Sequence, residues 1–149
     1  MRAWRLVGTR HAASALDGIG AARFGGRWNP PGLPMVYLAD SLALATLELS
    51  VHLTGGRFTY TAIELDVPDR TLDELDPADL KRRWRDDVEA TRRIGEAWVR
   101  SERSLALTVP SALVDPRSGE RNVLLAPRHP AMERVTERQR FTVTLDERL

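Results

Sequence analysis

Short apolar runs separated by glycine, proline and acidic residues dominate the chain, and their periods predict the elements. Residues 3–7 and 35–39 form compact runs with β-branched and aromatic members and read as strands. Asp40 or Ser41 can cap a helix running to about Leu53, where Gly55 and Gly56 stop it. Residues 58–67 alternate and end at Pro68-Asp69, the signature of another strand. Asp76-Pro77 is a favourable helix start. A further helix is expected over 86–101, with Val88, Ile94, Ala97, Trp98 and Arg100 giving it an apolar side. Residues 105–109, 122–125 and 141–145 are the remaining strand candidates, and 130–135 can hold a helical turn. Strands and helices intermix without a βαβ rhythm, so the expected fold class is α+β, one domain over 1–149.

Two places break the pattern. Gly18, Gly20, Gly25, Gly26 and Gly32 fall within 15 residues and end in Gly25-Gly26-Arg27-Trp28-Asn29-Pro30-Pro31. Such a run is either a binding loop, where the backbone approaches a ligand closely, or an ordinary connection built of turns. The second is Glu48. On a helix of about 3.6 residues per turn it falls between Leu44 and Val51, near Leu47 and His52, on the apolar side. A carboxylate there must meet an arginine or line a cavity, unless the helix is rotated to leave it at a solvated margin. Arg27 could grip a phosphate or carboxylate with its guanidinium fork, or be a surface charge beside a turn. Ser111 follows a strand end, where a hydroxyl either satisfies a nearby backbone group or faces a cleft. Tyr37 is a core aromatic unless a cleft opens beside it.

Composition narrows the classes. At 149 residues the chain can bury a core without staples. It has no cysteine, so disulfides, thiolate metal sites and cysteine nucleophiles are excluded, and a reducing, cytoplasmic setting is expected. Histidines 11, 52 and 129 lack metal-ligand spacing, so no metal is expected. No apolar stretch is long enough for a signal peptide or a membrane span. The formal charge is +1, which gives no broad field for nucleic acid or membrane. Lys81 is the only lysine, a skew that reflects either codon usage or arginine's bidentate chemistry. The basic residues at 81, 82, 83 and 85 are flanked by acids and read as a solvated helix start; a non-enzymatic RNA- or DNA-binding module using them is the contrasting alternative. Rossmann and phosphate-loop motifs are missing.

Three segments together resemble the RES domain family: Ala15-Leu16-Asp17-Gly18, Gly25-Gly26-Arg27-Trp28-Asn29 and Tyr37-Leu38-Ala39-Asp40-Ser41 through Glu48. Downstream, Val109-Pro110-Ser111-Ala112, Glu120 through Pro130 and residues 141–149 look like the family's later blocks in order. Ala126 departs from the asparagine more usual before the proline. The resemblance implies an ADP-ribosyltransferase-like fold with a mixed, split or strongly curved sheet flanked by helices. It implies a toxin that depletes NAD by breaking the nicotinamide–ribose bond, with phosphate or water as acceptor, or alternatively one that transfers ADP-ribose to a protein. Arg27, Tyr37, Glu48 and Ser111 would be catalytic, and Arg27, Trp28, Asn29, Tyr37 and Asn122 would bind NAD. NAD would be the substrate, phosphate a possible co-substrate, and no cofactor is implied. Arginines such as Arg23 or Arg57 would serve the acceptor. The implied partner is an Xre-like helix-turn-helix antitoxin that blocks the active site, within a homodimer or larger assembly, with no direct contact to nucleic acid or membrane.

Overall fold

The computed structural model describes residues 1–55 and 58–149. Its strands are β1 (Arg2–Gly8), β2 (Val36–Ala39), β3 (Tyr60–Asp66), β4 (Leu72–Glu74), β5 (Ala106–Pro110), β6 (Arg121–Leu125) and β7 (Thr136–Val143). They form one sheet in the order β4-β5-β6-β2-β1-β3-β7, antiparallel except for the parallel β4–β5 pair. The helices are α1 (Ile19–Phe24), α2 (Leu42–Ser50) and α3 (Val88–Ser101). This is an α+β architecture with a mixed, open sheet.

The register explains where a site can form. β1 runs beside β3 over its whole length, from Arg2 opposite Asp66 to Gly8 opposite Tyr60. β2 runs beside β6 from Val36 opposite Leu125 to Ala39 opposite Asn122. Between these two halves, β1 and β2 share a single register pair, Trp4 with Ala39. The sheet is therefore continuous but nearly split at its centre.

Alternation along the strands sorts side chains to two faces. Ala3, Val7, Val36, Leu38, Ile63, Leu65, Val123 and Leu125 make one continuous cluster, covered by the irregular segments around Leu16 and Met132. On the other face the core is divided. α3 covers Met35, Leu107, Val109 and Leu124 with Trp98, and α2 covers Leu6, Ala39, Tyr60 and Ala62 with Leu44 and Ala45. Each fully buried large side chain contributes about 1.5–3 kcal/mol of hydrophobic stabilisation.

Local chemistry fixes the helices. Ser41 Oγ accepts from Leu44 N at 3.0 Å to start α2, and Asp87 Oδ1 accepts from Ala90 N at 3.0 Å to start α3. α3 turns Thr91, Gly95 and Trp98 inward, while Ala97 and Arg100 are exposed, so the expected stripe is rotated. Gly95 is required by that packing: a Cβ there would lie 1.8 Å from the Trp28 carbonyl oxygen.

Other expectations are also corrected. The glycine-rich stretch contains the short helix α1, and Asp76-Pro77 starts only a 3₁₀ turn, Pro77–Asp79. Leu72–Glu74 becomes a strand through its pairing with β5. The last strand begins at Thr136, five residues before position 141, because a sheet-edge strand exposed along its length carries no apolar alternation. The turn expected over 130–135 is the 3₁₀ segment Pro130–Arg134. No helix among the described residues is long and apolar enough to cross a membrane.

Candidate active site

The divided core leaves a cavity of about 570 Å³ at the split, walled by β1 (Trp4, Arg5, Leu6), β2 (Tyr37, Leu38, Ala39), α2 (Glu48, Leu49) and the Gly25–Trp28 loop. Val88 and Arg92 of α3, Leu113 and Asn122 complete it. That volume suits a ligand of drug or dinucleotide size.

Glu48 does line this cavity. Its apolar helix neighbours do not all face the core, since Leu47 is 37% and Val51 54% exposed; the same side of α2 borders the cavity. Among the described residues Glu48 meets no arginine. Its Oε1 accepts from Ser111 Oγ and from Asn122 Nδ2, each at 2.7 Å. Both donors are neutral, so the carboxylate is oriented without being neutralised, and Oε2 has no hydrogen-bond donor among the described residues. Ser111 is 1% exposed, also accepts from Leu113 N at 3.0 Å, and is not part of the cavity wall. Its hydroxyl acts on Glu48.

Tyr37 clamps the glycine loop. Its hydroxyl donates to Asn29 Oδ1 at 2.6 Å and accepts from Trp28 N at 3.0 Å. Burial pushes the phenol up to about 12, against the opposing pull of the Trp28 hydrogen bond. The hydroxyl is thus fully engaged. A Cβ on Gly26 would come 2.5 Å from it, which is why the loop needs glycine there.

Asn29, expected at the substrate, is instead wholly buried behind the wall. Its Nδ2 donates to the carbonyls of Ala21, Pro30 and Leu33, at 3.0, 3.2 and 2.9 Å. No donor is left over for a ligand. Trp28 contributes to the wall, but it is 1% exposed and packs against Trp84, ring centroids 5.9 Å apart.

Arg27 enters the cavity from the other side. Its guanidinium lies 5.8 Å from the Trp84 ring and donates through Nη1 to the Arg85 carbonyl at 3.0 Å. Arg85 also stacks on Trp84, at 4.8 Å, and donates to the carbonyls of Ala112 and Val114. In the basic run Lys81, Arg82 and Arg83 are solvent-exposed as expected, while Arg85 stacks on the buried Trp84.

Sequence reasoning passed over two further arginines. Arg5 spans the split, donating through Nη1 to the Tyr37 carbonyl at 3.1 Å, while its buried Nε has no partner. Burial pulls its pKa below the ordinary guanidinium value, with Asp17 opposing. The available signal was a charge flanked by Trp4 and Leu6 inside an apolar strand. Arg92 lines the cavity from α3. Arg23 is exposed and away from the wall, and Arg57 lies outside the described residues. Among the described residues, three arginines, Arg5, Arg27 and Arg92, and one carboxylate, Glu48, contribute to the cavity wall. No cluster of potential metal ligands occurs among the described residues.

Comparison with known proteins gives this site a lineage: residues 2–146 match the RES domain. The chain belongs to the RES-domain family. A Toxin Res of Yersinia enterocolitica is 39% identical over 137 residues, covering 89% of this chain and 88% of the relative. The Prs ADP-ribosylating toxin of a Sphingobium species is 36% identical over 147 residues, covering 91% and 88%. A shorter stretch of 36 residues, 24% of this chain and 19% of the relative, is 61% identical to the NAD(+) phosphorylase MbcT of Mycobacterium tuberculosis. In this RES-domain chain the arginine, glutamate and serine suggested by the resemblance are Arg27, Glu48 and Ser111. The last two touch, and Arg27 lines the same cavity as Glu48.

Proposed function

We propose that this RES-domain chain is a toxin that cleaves the nicotinamide–ribose bond of NAD and passes the ADP-ribosyl unit to phosphate or water. The observation that carries the reading is the state of Glu48: a carboxylate held on one oxygen by two neutral donors, in a cavity whose other charged side chains are guanidiniums.

Heterolysis of the glycosidic bond sends its electron pair to the pyridinium nitrogen, so nicotinamide leaves neutral and positive charge develops on the ribose. Glu48 Oε2 would stabilise that charge and accept a hydrogen bond from a ribose hydroxyl. Ser111 and Asn122 fix the carboxylate beforehand, so little reorganisation is needed as charge develops. Arg27 would hold phosphate oxygens at the far wall, and the Tyr37 ring would border the nicotinamide end. Because its hydroxyl is engaged by Asn29 and Trp28, Tyr37 acts by shape and by clamping the loop. The acceptor's lone pair then forms the new bond to the anomeric carbon. Phosphate yields ADP-ribose-1″-phosphate; water yields ADP-ribose after losing its proton.

Incubating the purified protein with NAD, with and without phosphate, and separating the products by chromatography tests this. Free nicotinamide with either partner product supports the reading; intact NAD under both conditions refutes it. The Sphingobium relative's name supports a second reading, transfer of ADP-ribose to a protein, which mass spectrometry of lysate exposed to the toxin would reveal as one modified protein with total NAD little changed. A toxin of this kind needs restraint in its own cell. We assign that role to an Xre-like antitoxin reaching the cavity mouth.

A further inference from the structure

The Gly25–Trp28 loop looks like an anion-binding loop, yet three of its four backbone donors are already used. Gly25 N donates to the Ala21 carbonyl at 2.8 Å, Gly26 N to the Asn29 carbonyl at 3.0 Å and Trp28 N to Tyr37 Oη at 3.0 Å. A nest of free N–H groups, as in phosphate loops, is therefore not what this loop offers. Anion recognition here falls to side chains. Arg27 alone is a weakened grip, because one arm of its fork is spent on the Arg85 carbonyl.

Arg92 supplies what is missing. Its Nε donates to the Gly26 carbonyl at 2.8 Å, and Thr91 Oγ1 donates to the Arg27 carbonyl at 2.5 Å, so consecutive carbonyls of the loop are drawn toward α3. The guanidinium lies close beside Gly25. A Cβ on Gly25 would be 2.9 Å from Arg92 Nη2 and 3.2 Å from its Cζ. The acid nearest to it, Glu89, is 3.7 Å from Nη1 with a side chain 76% exposed, too distant and too solvated to occupy the fork. The terminal nitrogens are thus held in place and, among the described residues, have no hydrogen-bond acceptor, and Arg92 lines the same cavity as Arg27.

We infer that Arg92 is a second diphosphate-binding residue, pairing with Arg27 to select a diphosphate-bearing substrate over a nucleoside. The inference rests on the NAD reading for its substrate class, but not for its test. A dianionic diphosphate between two oriented forks satisfies both cations, whereas a nucleoside satisfies neither. Arg92 is remote from the breaking bond, so it contributes to binding in ground and transition states alike.

Binding of ADP, measured by calorimetry on the full chain, tests this without requiring turnover. Arg92→Gln should weaken ADP about 10-fold, while Arg92→Lys, which keeps the charge, should stay within about 3-fold of the parent. With NAD as substrate, Arg92→Gln should raise KM by a similar factor with kcat within about 2-fold. Equal losses in the Gln and Lys variants would mean that only the bond to the Gly26 carbonyl matters, and would overturn the assignment. So would unchanged ADP affinity in Arg92→Gln, failure of the parent to bind ADP, or unfolding of both variants, which would make Arg92 a scaffold residue. A parent that binds ADP through Arg92 but releases no nicotinamide from NAD would refute the proposed function and leave this inference standing.

Discussion

Replacing Ser111 with alanine separates a serine that positions Glu48 from one that touches substrate. The hydroxyl donates to Glu48 Oε1 at 2.7 Å and accepts from Leu113 N at 3.0 Å. A hydrogen bond to a charged group contributes about 1.5–3 kcal/mol, but Asn122 retains the same oxygen at 2.7 Å, so only part of the orientation is lost. An increase of about 1.4–2 kcal/mol in the activation barrier follows, a 10- to 30-fold fall in kcat. KM for NAD should stay within about 2-fold, since Ser111 is outside the cavity wall. The Leu113 N–H loses its acceptor, but Leu113 is 39% exposed and water can replace the serine, so the stability cost should stay below about 1 kcal/mol and Tm should fall by only a few degrees. Asn122→Ala should lower kcat by a similar factor, and the double variant should lose much more kcat than either, because each donor covers for the other. Steady-state nicotinamide release and thermal melts on the same preparations check all of this. A raised KM with kcat unchanged would show that the serine contacts substrate, and the positioning argument would fail.

Tyr37 gives the protein an alkaline signature. Its pKa is raised to about 12, so the folded state holds the phenolic proton more tightly than the unfolded chain does; the stabilisation is present below pH 10 and lost as pH rises through about 12. Chemical denaturation at pH 8 and near pH 11.5 should show the parent losing about 2 kcal/mol more than Tyr37→Phe, and equal slopes would contradict the burial argument. Gly95→Ala should be severely destabilising, by more than about 3 kcal/mol, or should displace the loop and abolish activity, since its Cβ would overlap the Trp28 carbonyl. A melt within a few degrees of the parent would show that α3 can retreat from the loop.

Much of this was legible from sequence because local rules and the site coincide. Asp40-Ser41 announced the first helix, and Glu48 stood out as a charge among Leu44, Leu47 and Val51. The resemblance to RES domains tied Glu48 to Arg27 and Ser111. What could not be read were facts of register and approach. The single β1–β2 pair, Trp4 with Ala39, opens the cavity, and the half-buried Arg5 reaches across it to the Tyr37 carbonyl. Arg92 sits among Arg93 and Glu89 on a charged helix, and only the packing of Gly95 on Trp28 brings it to the loop. Asn29 was misplaced for the converse reason: a polar residue in a glycine loop invites a ligand, whereas here the backbone itself consumes every donor. Residues 72–74 form a strand only because β5 lies beside them.

The claim on which the account turns is that the negative charge of Glu48 drives cleavage. Glu48→Gln keeps the size and can still accept from Ser111 and Asn122, so the fold and ADP binding should be retained while the charge is removed. The rate of nicotinamide release from NAD by the purified variant should fall at least about 100-fold. Release at the parent's rate would contradict the account.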